Sequence, residues 1–212
     1  MKSQIDLQPN QTIVFIGDSI TDAGRRERAY RPLGYGYVHF AANQLFAKYP
    51  ELDLKVINKG ISGHTIRDLD GRWKRDCLAH KPDILSVLIG INDVWRQHAD
   101  MLDEAVFPNE YKSTYERLLT QARENSNCQL VLMEPFMFCN DVANPMFSSL
   151  QEFINIVHNL AEQFDAVLVP LQEAINDKIK QVPPHKWSGD MVHPDLWAHA
   201  WIAQRWLEAT KL

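Results

Sequence analysis

Cysteine is scarce in this sequence, and the three that occur, Cys77, Cys128 and Cys139, are odd in number and far apart. That excludes a disulfide framework and any CxxC pair, and it leaves buried thiols as the expectation. Basic residues are outnumbered: 22 Lys and Arg stand against 27 Asp and Glu, a formal net charge of -5. Such a chain lacks the basic surface that nucleic-acid phosphates require, so no nucleic-acid partner is expected. Hydrophobic runs are short, none exceeding four residues, which excludes a transmembrane helix and argues against a membrane partner. The first residues, Met1 to Gln8, hold no hydrophobic core of signal-peptide length. A cytoplasmic location is expected on that ground, although a mature form whose leader had been removed would read the same way. Repeats, low-complexity stretches and linkers are absent. With 212 residues, 45% hydrophobic and 23% charged, the chain reads as one globular domain, residues 1–212.

What is present is an alternation of short apolar runs with longer amphipathic segments. The runs Thr12–Ile16, Leu54–Asn58, Ile84–Ile89, Gln129–Met133 and Ala166–Val169 are apolar on both faces, the pattern of strands covered by helices. Helices are predicted near Tyr37–Lys48, Ile66–Ala79, Glu110–Arg123, Phe147–Phe164 and Leu171–Lys180. A final helix should follow Pro194, a residue suited to a first helical position. Thr65 and Asp68 have the spacing of a capping box. Strand–helix alternation predicts an α/β fold, a three-layer α/β/α sandwich with five parallel strands. Ligands of such sheets sit at the carboxyl ends of the strands, so those ends carry the functional reading. The last helix bears Leu196, Trp197, Ala200, Trp201, Ile202, Ala203, Trp206 and Leu207 over more than one face. That excess predicts a homo-oligomer, with full burial inside one monomer as the alternative.

Strand one ends in Gly17-Asp18-Ser19-Ile20-Thr21, which sets a serine hydroxyl at the sheet's edge. A turn whose Ser or Asp merely caps the next helix would carry the same residues. Strand two ends at Asn58-Lys59-Gly60, where Gly60 lets the backbone approach a ligand closely and offers an unencumbered N–H, an ordinary βα turn being the alternative. Strand three ends in Gly90-Ile91-Asn92-Asp93, where the Asn92 amide can point at a developing negative oxygen or cap the next segment. Asp190 and His193, three apart before Pro194, can meet, so the carboxylate fixes the imidazole tautomer and frees the other nitrogen to take a proton. Together these make a complete serine hydrolase: Ser19 as nucleophile, His193 as base, Asp190 as its orienter. The oxyanion donors would be Ser19, Gly60 and Asn92. No metal or organic cofactor is required, and His185, His193 and His199 with Asp190 match no H-E-x-x-H spacing. Trp95, Trp187, Tyr30 and Tyr35 are candidates for stacking on a sugar, with core packing as the alternative use. Arg25-Arg26-Glu27-Arg28 is expected to be a solvated loop, or else the rim of a site.

These blocks occur in the order and at the strand ends where the SGNH (GDSL-type) hydrolases carry them, and the sequence resembles that family over nearly its whole length. The first block reads Gly-Asp-Ser-Ile, with Ile20 where the name-giving motif has Leu. The elbow G-x-S-x-G of α/β-hydrolases is absent, because His64 follows Gly63 where the last Gly belongs. Three strings narrow the resemblance to the intracellular acetylxylan esterases: Asn58-Lys59-Gly60-Ile61-Ser62-Gly63, Ile89 through Arg96, and Leu33-Gly34-Tyr35-Gly36-Tyr37. The resemblance implies a small acetylated sugar, a xylo-oligosaccharide above all, as substrate. A lysophospholipase or thioesterase of the same family is the nearest alternative. A non-catalytic flavodoxin-like binding module is the alternative from another class.

Overall fold

The computed structural model describes residues 4–212. Its elements run β1 (Thr12–Gly17), α1 (Ser19–Asp22), α2 (Tyr37–Lys48), β2 (Lys55–Gly60), α3 (Ile66–Asp76), β3 (Ile84–Leu88), α4 (Ile91–His98), α5 (Pro108–Ser126), β4 (Gln129–Met133), α6 (Pro145–Gln163), β5 (Val167–Val169), α7 (Gln172–Lys178) and α8 (Leu196–Thr210). The strands form one parallel sheet in the order β2-β1-β3-β4-β5. Helices flank it: α2 packs with α8, and α3, α5 and α6 pack in succession. The expected three-layer sandwich is the fold observed.

The central strands follow from their residues. β1 and β3 are rich in Ile, Val, Leu and Phe, and all but Thr12 are buried, since a strand covered on both faces excludes water from both rows of side chains. Ser86 in the middle of β3 is tolerated because Trp206 Nε1 donates to its Oγ at 3.0 Å, so neither buried polar group is orphaned. β2 departs from the expectation: Lys55 is exposed and Val56 and Ile57 only half-buried, because this strand is a sheet edge. The capping box of α3 is present, with Asp68 Oδ2 accepting from the Thr65 N–H at 2.9 Å and Thr65 Oγ1 accepting from the Asp68 N–H at 3.3 Å.

Two short helices were not legible. α1 spans four residues and α4 follows β3 after only two, Ile89 and Gly90, so neither has the loop that marks a boundary. Asn92 therefore lies in the first turn of α4 rather than at a strand end. Pro194 is not the first residue of the last helix. It pairs with Ser188 in an isolated β-bridge, and α8 begins two residues later behind Asp195. Much of the apolar excess of α8 is spent inside the monomer, with Ile202, Ala203, Trp206 and Leu207 buried; Leu196 and Trp197 stay exposed.

The chain leaves β1 toward β2 on one side and returns to β3 on the other, so the carboxyl ends of β1 and β3 diverge into a crevice. The crevice floor is tight. Gly17 and Gly60 pair in register at the ends of β1 and β2. A Cβ on Gly60 would lie 2.1 Å from the Asp22 backbone nitrogen. Gly60→Ala is accordingly expected to cost about 3 kcal/mol of stability, as overpacking against an immovable backbone does. Urea unfolding measures this, and a wild-type midpoint would contradict the close approach.

Candidate active site

Ser19 is the first residue of α1, set immediately past β1, and the Asp18 carboxylate caps that turn by accepting from the Ile20 N–H at 3.0 Å. Ser19 Oγ lies 2.9 Å from His193 Nε2, and His193 Nδ1 lies 2.6 Å from Asp190 Oδ2. A carboxylate only accepts, so Nδ1 carries the imidazole proton and Nε2 is left bare toward the serine hydroxyl. The other carboxylate oxygen of Asp190 accepts from Ser188 Oγ at 2.9 Å, the Val192 N–H at 2.9 Å and the His193 N–H at 2.8 Å. Partial burial acts to raise the Asp190 carboxyl, but these hydrogen bonds, led by that from the His193 ring, hold it well below the usual carboxylate range. The segment is tied down at both ends: Met191 O accepts from the Phe138 N–H at 2.8 Å, and Trp187 O accepts from the Asp195 N–H at 2.8 Å.

The oxyanion donors need one correction. Gly60 is buried at the end of β2, and its N–H already donates to Asn58 Oδ1 at 2.9 Å. It makes room for α1 and has no donor to spare. In the loop that follows, Gly63 differs from Gly60 in this respect. In the loop 61–64 the Ile61 N–H goes to Gly17 O at 3.0 Å, the Ser62 N–H to Asp22 Oδ2 at 3.1 Å and the His64 N–H to Ile61 O at 3.3 Å. The Gly63 N–H has no partner among the described residues, and Gly63 lines the same cavity as Ser19. An exposed backbone donor with no partner in the protein is free to meet water or a ligand. Gly63 holds φ of 79°, a left-handed conformation that favours glycine. Asn92 also lines the cavity, its Nδ2 donating to His64 O at 3.0 Å with a second hydrogen to spare. The Ser19 N–H has no partner among the described residues.

The cavity encloses about 970 Å³. Trp95 and Tyr35 line it with rings 45% and 40% exposed, while Met137, Met146, Ile91 and Val192 supply apolar wall. Arg26 and Glu27 line it as well, so the charged stretch after α1 forms part of the rim. Two expected sugar contacts lie elsewhere. Trp187 is 3% exposed and packs among Phe138, Trp197 and Trp201, its Nε1 donating to Val182 O at 3.1 Å; it is a core residue. Tyr30 stands outside this cavity, edge-on to Tyr35 at 5.2 Å, and lines a separate hollow with Phe40 and Leu196.

Three supporting residues escaped the sequence reading. Asn58 Nδ2 donates to Thr21 O at 2.7 Å and to Leu33 O at 2.8 Å, joining β2, α1 and the loop that carries Tyr35. Arg72 is buried and donates to Gly17 O at 2.8 Å, Lys59 O at 2.7 Å and His64 Nδ1 at 3.1 Å. Asp22, the buried last residue of α1, accepts from Ser62 N–H and Oγ. A lone polar residue inside a strand or helix does not mark such a hub without knowing what folds against it.

Asp18 and Asp93 flank the nucleophile and Asn92 from below, each with one buried oxygen that has no partner among the described residues. Burial pushes both carboxyls up to about 7. The folded state then keeps a proton that the unfolded chain releases above the ordinary aspartate value of 3.8, so these groups make stability fall as pH rises toward 7 and level off beyond it. His199 is held down to about 4 by burial, which works in the opposite direction below the ordinary histidine range. Comparing a variant with wild type cancels that contribution. Asp93→Asn, unable to ionise, should lose part of the decline in stability between about pH 4 and 7. Urea unfolding across that range tests it; parallel pH profiles for the two proteins would mean that Asp93 is ionised throughout.

This sheet order, with a linked serine, histidine and aspartate at the switch point, is that of the SGNH hydrolases, which are serine-dependent esterases. The chain belongs to the GDSL-like Lipase/Acylhydrolase family, whose model matches residues 15–201, and it is a carboxylic ester hydrolase. An acetylxylan esterase of Geobacillus stearothermophilus is 38% identical over 203 residues, covering 93% of this chain and 92% of that protein. The crystal structure of Axe2, an acetylxylan esterase of the same organism, superposes with a TM-score of 0.92 at 36% identity, covering 98% of this chain and 97% of Axe2. Solved catalytic mutants of Axe2 replace a serine, an aspartate and a histidine with alanine. LAE5, an alpha/beta hydrolase enzyme from the metagenome of Lake Arreo in Spain, superposes with a TM-score of 0.90 at 34% identity, covering 97% of each chain.

Proposed function

We propose that this protein removes acetyl groups from acetylated xylo-oligosaccharides, with Ser19 as nucleophile, His193 as general base and acid, and Asp190 as the group that orients it. The observation that carries the reading is the unbroken Ser19–His193–Asp190 chain, at 2.9 and 2.6 Å, opening into a cavity with two exposed aromatic rings. The relatives named as acetylxylan and acetyl-xylooligosaccharide esterases support the substrate class.

His193 Nε2 takes the Ser19 proton as Oγ bonds to the ester carbonyl carbon, and the imidazolium is stabilised by the Asp190 carboxylate. The oxygen that gains negative charge is met by the N–H groups of Ser19 and Gly63 and the Asn92 amide. The C–O bond to the sugar breaks, His193 returns the proton to the departing sugar oxygen, and acetyl stays on Ser19. Water, deprotonated by His193, then attacks the acyl-enzyme and releases acetate and free Ser19. Trp95 and Tyr35 would stack on pyranose faces and hold the ester in register.

The apolar wall of Ile91, Met137, Met146 and Val192 is the feature that favours a lysophospholipase or thioesterase instead. Self-association through Leu196 and Trp197 is a separate proposal, which a light-scattering mass near 24.5 kDa at micromolar concentration would remove.

Ser19→Ala is expected to fold normally and lose roughly 10⁴–10⁶-fold in kcat, and kcat/KM for acetyl esters should exceed that for butyryl esters by about 10–200-fold. Acetate release from acetylated xylo-oligosaccharides, beside acetyl, butyryl, octanoyl and lysophospholipid esters, measures both. Rates that climb with acyl length would hand the site to the lipid reading.

A further inference from the structure

Beside two backbone bonds, the loop between β2 and α3 is held by side chains from other elements, and α4 supplies two of them. Asn92 and Arg96, four residues apart, share one face of that helix. Asn92 Nδ2 donates to the carbonyl of His64 at 3.0 Å, and Arg96 Nη2 donates to the carbonyl of Gly63 at 2.8 Å. Two consecutive carbonyls are thus gripped from the same side.

On the other side, Asp22 accepts from both the N–H and the hydroxyl of Ser62. The peptide unit between Ser62 and Gly63, the one that carries the unpartnered N–H, is therefore anchored before and after. No packing substitutes for these anchors: a Cβ built on Gly63 would meet nothing within 4 Å. A glycine at φ of 79° with open space beside it has wide backbone freedom unless hydrogen bonds remove it.

Arg96 is itself restrained. Its Nη1 lies 3.0 Å from Glu104 Oε2, and its Nη2 lies 3.9 Å from Asp68 Oδ2, the same carboxylate oxygen that closes the capping box of α3. Its Nε is buried with no partner among the described residues. An orphaned donor weakens the fold and calls for an explanation other than stability. Arg96 does not line the cavity, so it acts through another residue.

Resting on the reading that Ser19 and its donors hydrolyse an ester, we propose that Arg96 is a positioning residue that clamps the Gly63 carbonyl and thereby aims the Gly63 N–H at the oxyanion. The clamp acts on the donor alone, so its effect belongs to the transition state, where charge develops on the oxygen, and not to substrate binding.

The test uses the full chain with an acetyl ester, and a fluorophosphonate titrated to its end point counts competent sites, so that kcat is expressed per reactive Ser19. Arg96→Ala should lower kcat per site about 10–100-fold, the order expected when a donor is misplaced by an ångström or so. KM should stay within about twofold, as for an interaction made only in the transition state. Arg96→Lys, which keeps one donor of similar reach, should recover part of the loss. If Arg96→Ala fails to fold, Glu104→Gln, which loosens the guanidinium, should show a smaller fall in kcat with KM unchanged. An unchanged kcat per site in these variants overturns the clamp, as does a rise in KM alone, which would make Arg96 a substrate contact. Ser19→Ala separates the two readings: activity that survives it sinks the esterase site itself, whereas its loss beside an unaffected Arg96→Ala sinks only the clamp.

Discussion

The site depends on how closely α1 approaches the end of β2. Gly60 has no side chain, and only that absence lets the backbone of Thr21 and Asp22 lie against it. Three bridges use the contact. Asn58 reaches from β2 to Thr21 O, Asp22 reaches from α1 to Ser62, and Arg25 donates from beyond α1 to Gly60 O at 2.6 Å. Each is short because the two backbones already touch. Ser19 opens α1 and Ser62 precedes Gly63, so Ser19 and Gly63 are set relative to one another by this one steric vacancy.

Buried charge is arranged around the same place with unequal treatment. Asp190 is half-exposed and accepts four hydrogen bonds, so its carboxyl is held low. Asp18 and Asp93 are buried with an oxygen each to spare, so desolvation dominates and their carboxyls rise. Arg72 sits among backbone carbonyls of β1 and β2 with its charge partly met by Asp76 at 3.5 Å. A carboxylate works as an orienter when donors surround it, and as a neutral capping group when they do not.

Residues that act locally were readable in advance. Ser19, Asp190 and His193 could be grouped because each stands at a strand end or within a three-residue turn, and the structure places them in one hydrogen-bonded chain. The capping box of Thr65 and Asp68 was readable for the same reason, as both members lie in one turn. Gly60 was assigned the wrong task because a glycine after a strand has two uses, close packing and free donation. Only the neighbour that packs on it decides between them. Trp187 and Trp95 posed the same problem: one is buried among Phe138 and Trp201, the other is exposed on the cavity wall, and nothing adjacent in sequence distinguishes a ring that packs from one left open to a cavity.

The sequence by itself determined the parallel α/β sheet, since strands buried on both faces and separated by helices admit few other arrangements. It also singled out Ser19, His193 and Asp190, which the structure brings within hydrogen-bond reach of one another. Tertiary structure alone decided the rest: that Gly63 and not Gly60 has a spare N–H, that Asn58, Asp22 and Arg72 hold the strand ends, and that α4 begins two residues after β3. The physical reason is that these are matters of which donors remain after all others are paired. That accounting closes only when residues 40 or 100 positions apart have been brought into contact.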